Sequence, residues 1–426
     1  MDFQPSRGTH DLLPPASSVM RALYDRAAAL ARSYGYRYVE TPVFEATELF
    51  ARTSGASSDV VSKEMYTFVD RGDRSLTLRP EGTAPVMRAY LHQQQRLGSL
   101  FKAYYLTRMY RYSRPQAGRL REHRQFGVEV FGTDAPAADV EVLSVGDTFL
   151  RSLGLRRYRL EINSIGDDVC RPAYRAALIA YLQGHRSELR DEHKDRLEDN
   201  PMRVLDCKDE ACRAVAADAP VMVRWLCDAC TEHFDAVVAG ARASGLEPIV
   251  TPAVVRGLDY YVRTAFEFVS DAMQEGGNAQ QATLFGGGRY DGMAEALGGP
   301  HVPGIGFGMG LERVLIALDD ENVAPPVEPP LDVYVVALSA GARETATELV
   351  RTMRAAGLSA DMPYEERPMK AQLKMADRAD ARFAAILGDE ELAAGTVSMR
   401  RLADGEQTAV ARESVVAHVH ADRGAP

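Results

Sequence analysis

From Ser17 to Tyr34 apolar residues recur at helical spacing (Met20, Leu23, Ala27, Leu30), and Ser17 or Ser18 can serve as an N-cap, so the pattern predicts an amphipathic helix. Residues Tyr36 to Val43 alternate up to Pro42 and read as a strand, as does the run Leu76 to Pro80. Two longer strands, residues 104–112 and 120–131, are joined by a turn containing Pro115 and Gly118. Hairpins therefore dominate, which predicts a largely antiparallel sheet. Between about Cys170 and Ser244 the pattern turns to charged helical stretches with almost no strand signal, and alternation returns only near Val254, so this stretch reads as an inserted helical module. A helix begins near Gly310, and Asp319 to Pro330, with four prolines, reads as a stiff exposed linker. A strand (Val333 to Leu338), a helix (Arg343 to Ala356) and a strand (Phe383 to Leu387) then predict an α/β domain. The whole is of the α+β class, and no internal repeat is evident.

Composition narrows this picture. With 426 residues, 46% hydrophobic and 26% charged, the chain can bury several cores, which excludes disordered and fibrous classes. The first residues lack the apolar core of a secretion signal, and no run is apolar for the roughly 20 residues a membrane span requires, so a cytoplasmic location is expected. A net charge of -10 argues against a passive nucleic-acid coat; an RNA partner would need locally basic surface. Five cysteines in so long a chain point to buried thiols or a metal site rather than a disulfide framework.

That basic surface has a candidate. Period two sets Arg119, Arg121, His123, Gln125 and Glu129 on one face of a strand and Phe126, Val128 and Val130 on the other, so the polar face should line a cavity. Lys102, Arg108, Arg111, Arg114, Arg119, Arg121 and Arg124 stand against the single acid Glu122, a cluster suited to a polyphosphate or an RNA end, or else a solvated sheet face. The run from Gly304 to Gly310 alternates glycine with bulky apolar residues. It leaves room for a flat ring or a close backbone, or permits tight packing, and a helix N-terminus that favours anions follows it. No Walker A sequence and no Gly-x-Gly-x-x-Gly turn is present. Arg256 to Tyr261 and Gly286 to Gly292 are further polar turns, and isolated tyrosines of this sort are more often half-buried sheet residues than ligands. Four cysteines, Cys207, Cys212, Cys227 and Cys230, fall within one short segment, and the last pair has the Cys-x-x-Cys spacing that grips zinc; buried packing is the other reading.

Taken together these segments resemble histidyl-tRNA synthetase, a class II aminoacyl-tRNA synthetase, almost from end to end. The opening Arg7 to Pro14 is similar to that family's start, Thr41 to Glu45 resembles motif 1, and Leu78 to Thr83 the amino-acid-binding loop. Tyr110-Arg111 with Arg114 to Gln116 and Gly118-Arg119 resembles motif 2, and Gly308 to Arg313 resembles motif 3. Val255 to Tyr261 and Gly287 to Gly292 resemble the two segments specific to the histidine enzyme. Ser113 stands where motif 2 usually has an acid, and Glu122-His123-Arg124 departs from the family's usual residues before Gln125.

The resemblance implies ATP-dependent ligation of L-histidine to its tRNA through a histidyl-adenylate. Arg111 and Arg256 would flank the α-phosphate as catalytic residues, and Arg119 and Arg313 would bind ATP. Glu81, Gly82, Thr83, Gln125, Glu129, Tyr260 and Tyr261, with Arg111 and Arg256, would bind histidine, Glu129 and Tyr261 taking the imidazole. It also implies Mg2+ on the ATP phosphates and a homodimer. The expected organisation is a catalytic core over residues 1–169 and 249–322, a helical insertion over 170–248, a linker over 323–330 and an anticodon-binding domain over 331–426. The rival is the synthetase-like regulatory subunit of ATP phosphoribosyltransferase, which could lose the catalytic arginines and the C-terminal domain.

Overall fold

In the computed structural model, which describes residues 3–55, 60–195, 197–198, 201–205, 207, 209–255, 260–276 and 282–423, the chain divides into two units, Met1–Val327 and Glu328–Pro426. The strands of the first are β1 (Arg37–Tyr38), β2 (Phe44–Ala46), β3 (Tyr66–Val69), β4 (Ser75–Leu78), β5 (Phe101–Tyr110), β6 (Glu122–Phe131), β7 (Tyr158–Ser164), β8 (Pro248–Val250), β9 (Val262–Ser270), β10 (Thr283–Arg289) and β11 (Gly304–Gly310). Eight of them form one sheet in the order β1-β5-β6-β11-β10-β9-β7-β8, while β2, β4 and β3 form a small second sheet. Pairing in the large sheet is antiparallel except at its two ends, β1 with β5 and β7 with β8. This follows from connectivity, since short connections join strands that run in opposite directions.

The even-numbered side chains of β6, Phe126, Val128 and Val130, pack with Ile305, Phe307 and Met309 of β11 and Phe266 and Phe268 of β9. Helices Ala16–Ser33, Pro136–Ser152 and Leu311–Asp320 cover this face with Leu23, Ala27, Val142, Phe149, Val314 and Leu318. Each of the larger apolar side chains contributes about 1.5–3 kcal/mol on burial, so this face holds the sheet together and the opposite one can carry polar groups.

Two local expectations change. The first helix begins at Ala16 with Pro15 at its N-cap and no side-chain cap, so neither Ser17 nor Ser18 caps it. Ring closure already sets proline's φ near the helical value. The expected strand from Tyr36 to Val43 is cut to β1, and the chain joins the small sheet at Phe44; Pro42 lacks the N–H a continuing ladder needs.

Between β7 and β8, helices Arg171–Gly184, Glu210–Ala217 and Asp228–Ala243 enclose a separate core that includes Tyr174, Leu178, Leu182, Val215 and Met222. The second unit holds β12 (Leu331–Ala337), β13 (Ala360–Asp361), β14 (Ala381–Leu387), β15 (Thr396–Arg401) and β16 (Gln407–Ala411), in the order β13-β12-β14-β15-β16. Its parallel centre is covered on one face by helix Ala340–Ala355 and on the other by Met369–Arg378. Among the described residues no helix is long and apolar enough to cross a membrane.

Candidate active site

The polar face of the β5–β6 hairpin floors a cavity of about 500 Å3, within the range of small-molecule sites. Register explains its construction. Gln125, Gly127 and Glu129 stand opposite Thr107, Tyr105 and Ala103 of β5, and opposite Gly310, Gly308 and Gly306 of β11. A Cβ on Gly306 would overlap the Glu129 carboxylate, one on Gly308 the Gln125 amide, and one on Gly82 or Gly127 the Tyr105 ring. Space left by the glycines of β11 is thus taken largely by side chains of β6 and not by a flat ligand alone. Of the β11 glycines, Gly310, which lines the pocket, is the one where a Cβ would meet open space.

Glu81 bridges loop and helix. Its carboxylate accepts hydrogen bonds from the backbone N–H of Thr83 at 2.6 Å and of Ala84 at 3.0 Å, capping helix Thr83–Leu97, whose N-cap residue Gly82 has no side chain to do so. Burial holds its pKa above the usual carboxylate value against those bonds. Arg79 of the same loop points elsewhere: it donates to the carbonyls of Thr41 at 2.6 Å and Arg108 at 2.9 Å, fixing the loop to the end of β5. Gln125 is half-buried, and its Oε1 is fully buried with no hydrogen-bond partner among the described residues. Glu129 lies beneath the pocket wall, fully buried, accepting from the hydroxyls of Thr83 (2.8 Å), Tyr105 (3.3 Å) and Tyr290. Desolvation raises its pKa to about 8.

Among the described residues, three guanidiniums line the cavity: Arg111, Arg119 and Arg313. Arg111 is aimed by a 2.7 Å bond from Nε to the Pro80 carbonyl. Arg313 donates to the carbonyls of Gly118 (3.1 Å) and Thr283 (2.7 Å), and Arg119 is paired with Glu64. His123, among the lining residues, has its pKa lowered to about 3 by desolvation and by Arg111 and Arg313, so it faces the cavity as a neutral imidazole. Of the rest of the basic cluster, Arg114 is exposed and four residues are committed elsewhere. Lys102 pairs with Glu141, Arg108 with Glu122 and the buried Arg124 with Glu312, while Arg121 stacks over Tyr112 at 4.0 Å.

Tyr260 and Tyr261 line the cavity and contact Tyr290 through their rings. Ser113, at the departure from motif 2, is buried on the same wall. Arg256 lies outside the described residues. Within the second histidine-type segment, Arg289 is wholly buried in a bidentate pair with Asp139 (3.0 Å to Oδ1 and 2.6 Å to Oδ2), which also meets His233 at 3.2 Å, so this arginine anchors β10 to helix Pro136–Ser152 and does not line the pocket. Glu64, Tyr105, Glu267, Thr283 and Phe285 were not legible as site residues; only the alignment of Tyr105 with Gly127 carried a signal, visible once the register is known. The four-cysteine zinc cluster is not formed. Cys227 and Cys230 group with Asp167 and Cys170, whereas Cys207 and Cys212 group with His193. The sequence order of the cysteines misled because the fold brings the start of helix Asp228–Ala243 back to Cys170 at the start of helix Arg171–Gly184.

Residues 8–314 match the family Histidyl-tRNA synthetase, and residues 332–422 match Anticodon binding domain. The chain belongs to the histidyl-tRNA synthetase family. It is 50% identical over 411 residues to the histidine–tRNA ligase of Moorella thermoacetica, covering 96% of each chain. It is 48% identical to that of Mycolicibacterium vanbaalenii, covering 98% of this chain and 97% of the other. The apo histidyl-tRNA synthetase of S. aureus superposes with a TM-score of 0.81 at 36% identity, covering 98% of this chain and 99% of that one. Family membership gives the pocket its frame: the family match spans both the β5–β6 hairpin and β11, the strands that supply the floor.

Proposed function

We infer that this chain is a histidine–tRNA ligase, joining L-histidine to its tRNA at the expense of ATP. The observation that carries the reading is one cavity holding Arg111, Arg119 and Arg313 together with the Glu81 carboxylate and the unpartnered Gln125 Oε1. Guanidiniums attract a polyphosphate, and a carboxylate with a bare acceptor attracts an ammonium group. An α-amino acid and ATP satisfy both.

In activation the histidine carboxylate attacks the α-phosphorus and pyrophosphate leaves. Arg111, tethered through Nε to Pro80, has its remaining N–H groups for the charge that develops there, and Arg256 is assigned the opposite side by resemblance. Arg313 holds the nucleotide beside the open strand end at Gly310. Glu81 and Gln125 orient the α-ammonium, while Glu129, steered by Thr83, Tyr105 and Tyr290, sits beneath the imidazole with Tyr261 on the wall. The neutral His123 adds no cation to repel the substrate ammonium.

Magnesium, arriving with ATP, would neutralise phosphate charge. Glu267 and Glu312 are the carboxylates fitted to meet it from the wall, although both Glu312 oxygens already accept from the Arg124 N–H. The unit from Glu328 is assigned to the anticodon arm. A homodimer through the small sheet is supported by the exposed pair Phe44 and Phe68, whose rings lie 6.4 Å apart beside the exposed Val43 and Val69. Retention of Arg111 and Arg313 in the cavity, and of the C-terminal unit, speaks against the regulatory-subunit reading.

The test is exchange of pyrophosphate into ATP by the purified protein with each amino acid in turn. Exchange with histidine only, reduced on the order of 100-fold or more in Arg111→Ala, is expected. Exchange with another amino acid, or none with histidine, would refute the reading.

A further inference from the structure

Of the two cysteine groups outside the pocket, one brings four donor atoms together. It sits where the helical insertion leaves the catalytic sheet, just beyond β7. Two short segments meet there: Asp167-Asp168-Val169-Cys170, with Cys170 at the N-cap of helix Arg171–Gly184, and Cys227-Asp228-Ala229-Cys230, with Cys227 at the N-cap of helix Asp228–Ala243. Both put two donor groups three positions apart at the start of a helix, the spacing used by tetrahedral zinc knuckles. Helix N-termini also favour the anionic thiolates that such an ion needs.

The distances fit one ion. Two Zn–S bonds of about 2.3 Å at a tetrahedral angle set their sulfurs about 3.8 Å apart, and Cys170 Sγ lies 3.9 Å from Cys230 Sγ. Asp167 Oδ1 is 3.4 Å from Cys170 Sγ and 3.9 Å from Cys227 Sγ, and all four donor atoms lie within 4.8 Å of one another. Cys170 and Cys230 are buried and the other two half-buried, which suits a closed structural site. The backbone is shaped around it. Gly166, with a φ of 67°, has no Cβ, and one there would press on Cys170 Sγ and Met222. The Asp167 Oδ1 that faces the thiols also accepts the backbone N–H groups of Val169 (3.0 Å) and Cys170 (3.3 Å), which fixes the carboxylate at the helix start beside them.

We propose that Asp167, Cys170, Cys227 and Cys230 bind one zinc ion through three thiolates and one carboxylate, three protons leaving the thiols on binding. Only Cys227 and Cys230 are shared with the four-cysteine set read from the sequence. The ion ties the first and last long helices of the insertion to the end of β7. The tie reaches the substrate pocket, because Arg171, next to Cys170, donates to the carbonyls of Ile165 (2.9 Å) and Tyr261.

The test is zinc content of the full-length protein, purified without chelators, by elemental mass spectrometry. Cys170→Ser and Cys227→Ser should each lose one zinc per chain relative to the unaltered protein, and Cys207→Ser, in the neighbouring His193 group, should lose none from this site. Unchanged zinc in Cys170→Ser, or an unaltered protein without zinc, would overturn the proposal. Should the serine variants fail to fold, X-ray absorption at the zinc edge of the unaltered protein decides. Three sulfurs at about 2.3 Å and one oxygen at about 2.0 Å are expected, and a shell of four sulfurs, or of one or two sulfurs with imidazole, refutes it.

Discussion

Gly306 and Gly308 are adjacent in pattern to Gly310, yet the three are not equivalent. Alanine at 306 or 308 must displace Glu129 or Gln125, while at 310 it meets open space. Gly306→Ala and Gly308→Ala should each weaken histidine binding at least ~10-fold, about 1.4 kcal/mol, in calorimetric titration. Gly310→Ala should leave the thermal midpoint unchanged. Glu129 makes a second prediction. Its pKa rises from an ordinary 4.5 to about 8 on burial, so between those values the folded chain holds a proton that the unfolded chain has released. Stability of the ligand-free protein should therefore fall as pH rises from 5 to 8, and Glu129→Gln should flatten that slope in thermal denaturation. A slope the same in both proteins would mean the carboxyl is ionised in the fold.

Among the elements, β10 shows how a motif divides between chemistry and support. Gly286 and Phe285 line the cavity, whereas Arg289 at the strand's end turns into the protein to meet Asp139 on helix Pro136–Ser152 and the Asp291 carboxylate. Removing one partner of such a pair leaves an uncompensated buried charge. Arg289→Ala should cost about 3–5 kcal/mol in denaturant unfolding, while the KM for histidine, measured at low temperature on the folded protein, stays near that of the unaltered chain. A large change in KM without loss of stability would instead give Arg289 a place at the substrate.

Across the whole molecule, the division at Val327 and Glu328 separates two sets of hydrophobic cores. Residues 1–326 alone should retain histidine-dependent pyrophosphate exchange and lose most tRNA charging; unimpaired charging would remove the anticodon role from the second unit. The exposed aromatic pair of the small sheet carries the last expectation. Phe44→Asp should shift the mass measured by light scattering from dimer to monomer, and an unaltered dimer mass would move the interface elsewhere.

Periodicity determined much of this protein in advance. The β5–β6 hairpin, its polar and apolar faces, the helical insertion and the α/β unit all follow from spacing along the chain, because period-two and period-3.6 patterns report local geometry and burial together. Period two also placed Gln125 on the polar strand face, while Glu81, Arg111 and Arg313 were singled out by the family resemblance, and all four line one cavity. What spacing could not decide was contact between elements distant in sequence. Seven basic residues look alike between positions 102 and 124, but Glu64, Glu122, Glu141 and Glu312, the last almost two hundred residues downstream of Arg124, set which of them are paired. The cysteines make the same point, for their grouping depends on which helix ends the insertion brings together and not on the intervals between them. Register, burial and charge pairing are properties of the closed sheet and its packed helices, and they came only with the tertiary structure.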